Sequence, residues 1–174
     1  MQNKPSTYLL RAGFTASLAT LVACGGGGSD DSTPVVPPTP EPTTTSVKVT
    51  VIDGAIKNAL VCLDKNRNGL CEEGEPQGRT AEDGTVSLEV PKEDAGQYPV
   101  VASVGTDAVD ADHGPVTVAF RMSAPADQVA VVSPLTTLVQ QVVASTGATT
   151  TEAAAVVQQA TGIAASPLAD YTKQ

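Results

Sequence analysis

Residues 46–52 read SVKVTVI, with Val47, Val49 and Val51 at every second position. A period of two puts those side chains on one face of an extended chain, so the segment predicts a half-buried β-strand. The same texture returns in ALVCLD (59–64), TVSLEV (85–90), YPVVASV (98–104), VTVAFRM (116–122) and QVAVV (128–132), with turn formers such as Asp53-Gly54 and Glu82-Asp83-Gly84 between them. Short strands at that spacing predict a mainly β fold, a small antiparallel β-sandwich over residues 46–132. The chain holds two Phe, three Tyr and no Trp, so its core must be built from Val, Ile, Leu and Ala.

The texture changes at Ser133. SPLTTLVQQVVAS offers a Ser cap, Pro134 at the first helical position, and Leu135, Leu138, Val139, Val142 and Val143 on one stripe. These predict a helix that Gly147 ends. Thr149-x-x-Glu152 is a capping box for a second helix that stops at Gly162. Residues 133–174 therefore predict a helical hairpin, possible as the start of a further domain, with Leu135, Val139 and Val142 packed on Val156, Val157 or the sandwich.

The first 45 residues are unfit for a core. Residues 1–23 carry Lys4 and Arg11, no acid, and the apolar run AGFTASLATLVA. At about a dozen residues the run suits a signal peptide and falls short of the roughly 20 apolar residues of a membrane span. It ends in Leu21-Val22-Ala23-Cys24-Gly25, which resembles the lipobox of bacterial lipoproteins. The competing reading is an ordinary secretory signal that holds a cysteine. The resemblance implies lipid, such as palmitate, on Cys24, and Gly25 resembles the pattern for delivery to the outer membrane, at its periplasmic face or the cell surface. Residues 24–45, rich in Gly, Pro and Thr, read as a disordered tether.

The chain carries a formal charge of −9. Such an acidic balance argues against a nucleic-acid partner, because phosphates demand Lys and Arg. It suits a surface domain or one that binds divalent cations.

With Cys24 assigned to lipid, Cys62 and Cys71 remain, and export to an oxidising compartment predicts a disulfide between them. The stretch they bracket, CLDKNRNGLCEEGE, fits the pattern D-x-[DN]-x-[DN]-G-x5-E from Asp64 to Glu75. Asp64, Asn66 and Asn68 would supply side-chain oxygens, Leu70 its carbonyl, Glu72 a carboxylate acting through water, and Glu75 both carboxylate oxygens; Gly69 would make the sharp turn. Lys65 and Arg67 fall between the ligands and are expected to point into water. A strand precedes Asp64 and Pro76 follows Glu75, so this is a calcium loop in a β domain and not an EF-hand. With two neutral asparagines among the ligands, affinity should fall near the weak end, roughly 10⁻⁴–10⁻³ M. The competing reading is a polar turn without an ion. Zinc is disfavoured, because two cysteines lack a second ligand pair and the lone His113 lies far along the chain.

Residues 53–91, DGAIKNALVCLDKNRNGLCEEGEPQGRTAEDGTVSLEVP, resemble the start of bacterial surface modules related to the carboxypeptidase regulatory-like and SdrD B-like domains. The shared features are the A-x-V-x-L-D strand, the D-x-N-x-N-G loop ending in G-E, and the D-G-x-x-x-L hairpin. The resemblance implies a prealbumin-like (Ig-like) sandwich with bound calcium, serving as spacer or adhesive stalk. The paired cysteines depart from the general pattern of that family. VVSPLTTLV resembles a segment that follows such domains in larger surface lipoproteins.

Enzyme signatures are missing from the sequence: there is no G-x-S-x-G, no H-E-x-x-H and no phosphate-binding glycine loop after a strand. His113, beside Asp110 and Asp112, reads as a solvated loop histidine. The expectation is a non-catalytic, lipid-anchored surface module. The alternatives are a module binding glycan or a surface protein, with the shortage of aromatics counting against glycan stacking, or the N-terminal accessory domain of a larger secreted enzyme.

Overall fold

A computed structural model of the chain describes residues 43–173. The lipobox, Cys24 and nearly all of the tether lie outside the described residues. Ten strands precede two helices: β1 (Thr44–Val51), β2 (Ile56–Lys57), β3 (Leu60–Leu63), β4 (Gln77–Arg79), β5 (Thr85–Pro91), β6 (Val100–Val104), β7 (Val109–Asp110), β8 (Gly114–Pro115), β9 (Phe120–Ala124), β10 (Val131–Val132), α1 (Pro134–Thr146) and α2 (Thr150–Thr161). A short 3-10 turn at Tyr171–Lys173 follows.

The strands form three sheets, in the orders β10-β1-β5, β4-β3-β6-β9 and the small β2-β7-β8. The first two enclose one core. Val49, Val51, Leu88 and Val90 meet Val61, Leu63, Val100, Ala102, Val104, Met122 and Ala124 in a single buried cluster. Alternation explains the sorting: Val61 and Leu63 of β3 face inward, while Leu60 and Cys62 fall on the outer face of the four-stranded sheet. Gly84 closes the turn into β5 at φ 74°, and a Cβ there would stand 2.6 Å from the Val51 carbonyl oxygen. Only glycine fits that approach.

Three expectations need correction. β1 begins at Thr44, two residues before Ser46, because Thr44 and Thr45 pair with Pro91 and Val90. The strand expected at 116–122 runs from Phe120 to Ala124; β6 ends at Val104, the partner of Phe120, so the residues before it do not extend that ladder: Val116 donates instead to the Ala108 carbonyl at 3.1 Å, and Val118 is left 75% exposed. Of the segment 128–132 only Val131 and Val132 are strand, and they pair in parallel with Thr50 and Val51, where every other ladder is antiparallel.

The helices start and stop where their caps predict. Ser133 and Thr136 exchange reciprocal cap bonds, Thr149 and Glu152 do the same, and Gly147 and Gly162 end the helices at φ 72° and 71°. Val139 packs with Ala153, Ala154 and Val157, flanked by Val142, Val143 and Leu168. Leu138 and Val156 stay outside this cluster and are exposed. The pair is tied to the sandwich at β9 and at the turn that follows it, where the Thr150 hydroxyl donates to Asp127 at 2.6 Å. The Thr136 hydroxyl donates to the Ser123 carbonyl at 2.8 Å, and the Ser123 N–H donates to the Thr137 hydroxyl at 2.9 Å.

Candidate metal loop

The loop leaves β3 at Asp64, which is buried to 2% exposure. Burying a carboxylate is costly unless its oxygens are satisfied. Here Oδ1 accepts the Asn68 N–H at 3.1 Å and Oδ2 that of Gly69 at 2.8 Å. The backbone reaches this shape because Arg67 and Gly69 both take left-handed conformations, φ 59° and 74°. The side-chain oxygens of Asn66 and Asn68 accept the N–H groups two residues on, at 3.0 and 2.8 Å. The Asn68 N–H is thus shared by Asp64 and Asn66, which brings their oxygens to one point.

The second limb folds back onto the first. The Asn66 amide donates to Glu72 Oε2 at 2.6 Å. Glu75 accepts the backbone N–H of Lys65 and that of Glu72. Asp64, Asn66, Glu72 and Glu75 are therefore linked in one hydrogen-bonded chain. Asn68 joins it through its backbone N–H, while its side chain bonds Leu70. The Leu70 carbonyl oxygen lies 3.8 Å from Cys62 Sγ.

The predicted disulfide is present, with the Cα atoms of Cys62 and Cys71 5.5 Å apart. It hooks the loop over the outer face of the four-stranded sheet: Cys71 Sγ lies 3.7 Å from the Val101 carbonyl oxygen and 3.9 Å from that of Leu60.

Lys65 and Arg67 do not simply face water. Lys65 Nζ pairs with Asp94 at 2.6 Å and stands 5.7 Å from the Tyr98 ring centre. The Arg67 guanidinium lies 5.9 Å from the same ring and donates to the Gln97 carbonyl at 3.1 Å. Sequence reasoning missed these anchors because the segment 94–98 is remote along the chain. Its signal was an aromatic residue beside an acid, opposite two alternating cations. The hydrogen bond to Asp94 is the main cause that raises the Lys65 pKa. Both loop cations thus engage the 94–98 segment and not the carboxylates of their own loop.

Among the described residues no group of three acidic, histidine or cysteine side chains stands together as a metal centre. Three of the six predicted donors are amide or backbone carbonyl oxygens, outside that class. The donor set fits a hard cation such as calcium, which takes oxygen ligands. Each carboxylate or amide oxygen that accepts one N–H keeps a second lone pair.

Between the loop and the helical pair lies a cleft of about 710 Å³, lined by Arg67, Val101, Ser123, Asp127, Gln140 and Val143 among others. His113 is remote from it in sequence; its side chain is 76% exposed, with Nδ1 3.5 Å from Asp110 Oδ1. No family model, no curated protein and no solved structure matches the chain.

Proposed function

We propose that this protein is a non-catalytic module of the bacterial cell envelope, anchored in the outer membrane by lipid on Cys24 and stiffened by calcium in the loop 64–75. It serves as a spacer, adhesive or assembly domain. Asp64, Asn66, Asn68, Leu70, Glu72 and Glu75 would hold the ion. When bound, calcium supplies a positive centre that cross-links the two limbs of the loop.

The observation that carries this reading is the fate of the loop's charges. Among the described residues Asp64 is buried without a cationic partner, and the nearby cations are drawn off to Asp94, Gln97 and Tyr98. The loop keeps its oxygens and loses its internal counter-ions.

The test is the melting temperature in millimolar calcium and in chelator. A ligand that binds only the folded state stabilises it by about 2.7 kcal/mol at a hundredfold excess over Kd. Identical melting in both would make the loop a self-sufficient polar turn and remove the calcium reading. Anchoring is tested separately by growth with a labelled fatty acid, for the natural protein and Cys24→Ala. Equal labelling would defeat it.

The cleft favours a second reading, a binding module for a surface protein or glycan. Its volume lies within the range of roughly 300–1,000 Å³ seen for ligand sites.

A further inference from the structure

The disulfide does not merely border the loop. Cys62 stands two residues before Asp64, on the rigid strand β3, while Cys71 stands between Leu70 and Glu72. The sulfur–sulfur bond therefore joins the limb bearing Asp64, Asn66 and Asn68 to the limb bearing Leu70, Glu72 and Glu75. Apart from it, the limbs are held together by the bonds Asn66 to Glu72 and Lys65 to Glu75, and at the base of the loop by the Leu63 N–H donating to the Pro76 carbonyl at 2.9 Å. Of the side chains in the first two bonds, Asn66 and Glu72 are exposed and Glu75 is half-buried. The two cysteines differ in exposure. Cys62 is fully buried, whereas Cys71 is partly exposed.

We propose that the disulfide and the calcium site form one redox-coupled switch, with the oxidised loop binding calcium more tightly and the calcium-bound loop resisting reduction. This inference rests on the calcium reading above. Its physical basis is preorganisation: opening the bond frees the 70–75 limb, and binding must then order it again. Linkage makes the effect reciprocal, so the factor by which oxidation tightens calcium binding is the factor by which calcium favours the disulfide.

The redox step is a thiol–disulfide exchange with a dithiol. One thiolate of the dithiol attacks Sγ of the more exposed Cys71, and the sulfur–sulfur bond breaks with its electron pair on Cys62, which takes a proton from water. The second thiol of the dithiol resolves the mixed disulfide and releases Cys71 as a thiol. The protein gains two electrons and two protons, and the dithiol becomes a cyclic disulfide. The departing Cys62 sulfur has the Leu70 carbonyl oxygen beside it, an acceptor that cannot donate to it.

The experiment has two arms. Calcium chloride is titrated calorimetrically into oxidised protein and into reduced protein whose far-UV circular dichroism matches the oxidised form. Separately, the protein is equilibrated in dithiothreitol redox buffers with saturating calcium or with chelator, and free thiols are counted by alkylation and mass spectrometry. The expected outcome is a Kd about tenfold weaker after reduction, and a midpoint potential more negative by about 30 mV in calcium. Equal Kd values with superimposable redox curves would overturn the coupling and leave the calcium reading intact. No calcium heat from the oxidised protein would overturn both. If the reduced protein unfolds, the initial rate of reduction of the native protein decides. It should fall in calcium, because an ion-held loop opens less readily to attack at Cys71, and equal rates would sink the proposal.

Discussion

Glu75 reaches back across the loop to Lys65: its Oε1 accepts the Lys65 backbone N–H at 2.8 Å, while its Oε2 accepts that of Glu72 at 3.1 Å. One carboxylate thereby closes the loop before any ion is considered. Glu75→Ala removes two charge-assisted bonds at a half-buried site. Each such bond contributes about 1.5–3 kcal/mol at most. The variant should unfold at lower urea concentration even in chelator, and it should lose the calcium-induced rise in melting temperature. An unchanged urea midpoint would show that the disulfide alone fixes the loop.

Lys65→Ala acts differently. Its side chain is anchored to Asp94 and Tyr98 and is no predicted ligand. The variant should melt at a lower temperature than the natural protein in chelator, yet keep its response to calcium. Loss of that response would mean that the 94–98 anchor sets the ligand geometry.

The join between sheet and helices rests on Thr136, which is fully buried. Its hydroxyl accepts the Ser133 N–H at 2.8 Å and donates to the Ser123 carbonyl at 2.8 Å. Thr136→Val keeps the shape and leaves a buried donor without its partner, at a cost of about 1–3 kcal/mol. Chemical denaturation measures it. A neutral outcome would show that Thr137 and the Ser133 hydroxyl suffice.

Asp110 links stability to pH. Burial pushes its carboxyl up, but N–H bonds from Asp112, His113 and Gly54, with the His113 side chain, outweigh that and hold its pKa below the ordinary 3.8. A depressed folded-state pKa contributes stability that is present above the unfolded value and is lost as pH falls through the folded one. The contribution should therefore hold at neutral pH and disappear below about pH 4. Asp110→Asn should narrow the stability difference between pH 7 and pH 3, as read by thermal melts at each pH. A variant with the natural pH slope would refute this.

Much of the fold was legible because periodicity and caps are local. Val47, Val49 and Val51 announce β1, and Ser133, Gly147, Thr149 and Gly162 mark the helix ends. β2, β4, β7 and β8 were not legible: each has two or three residues, too few to show a period, and β4 exists as the ladder partner of β3 while β2, β7 and β8 pair only with one another once the fold brings them together. Val116 to Val118 alternate as a strand should, yet their fate is decided by where β6 stops. The disulfide that staples the loop could be read from Cys62 and Cys71. The anchoring of Lys65 and Arg67 could not, since it depends on where β5 delivers Asp94 and Tyr98.

The parallel pairing of Thr50 with Val131 and Val51 with Val132 has a consequence for how the chain is made. The first strand waits for the last, with the whole sandwich between them in sequence. Contacts so distant along the chain are slow to form. Until Val132 has been synthesised, one edge of β1 stays open, and an open edge invites pairing with another chain. The completed edge is followed at once by Ser133, the cap of α1, so a single short segment ends the exposure of the oldest strand and begins the first helix.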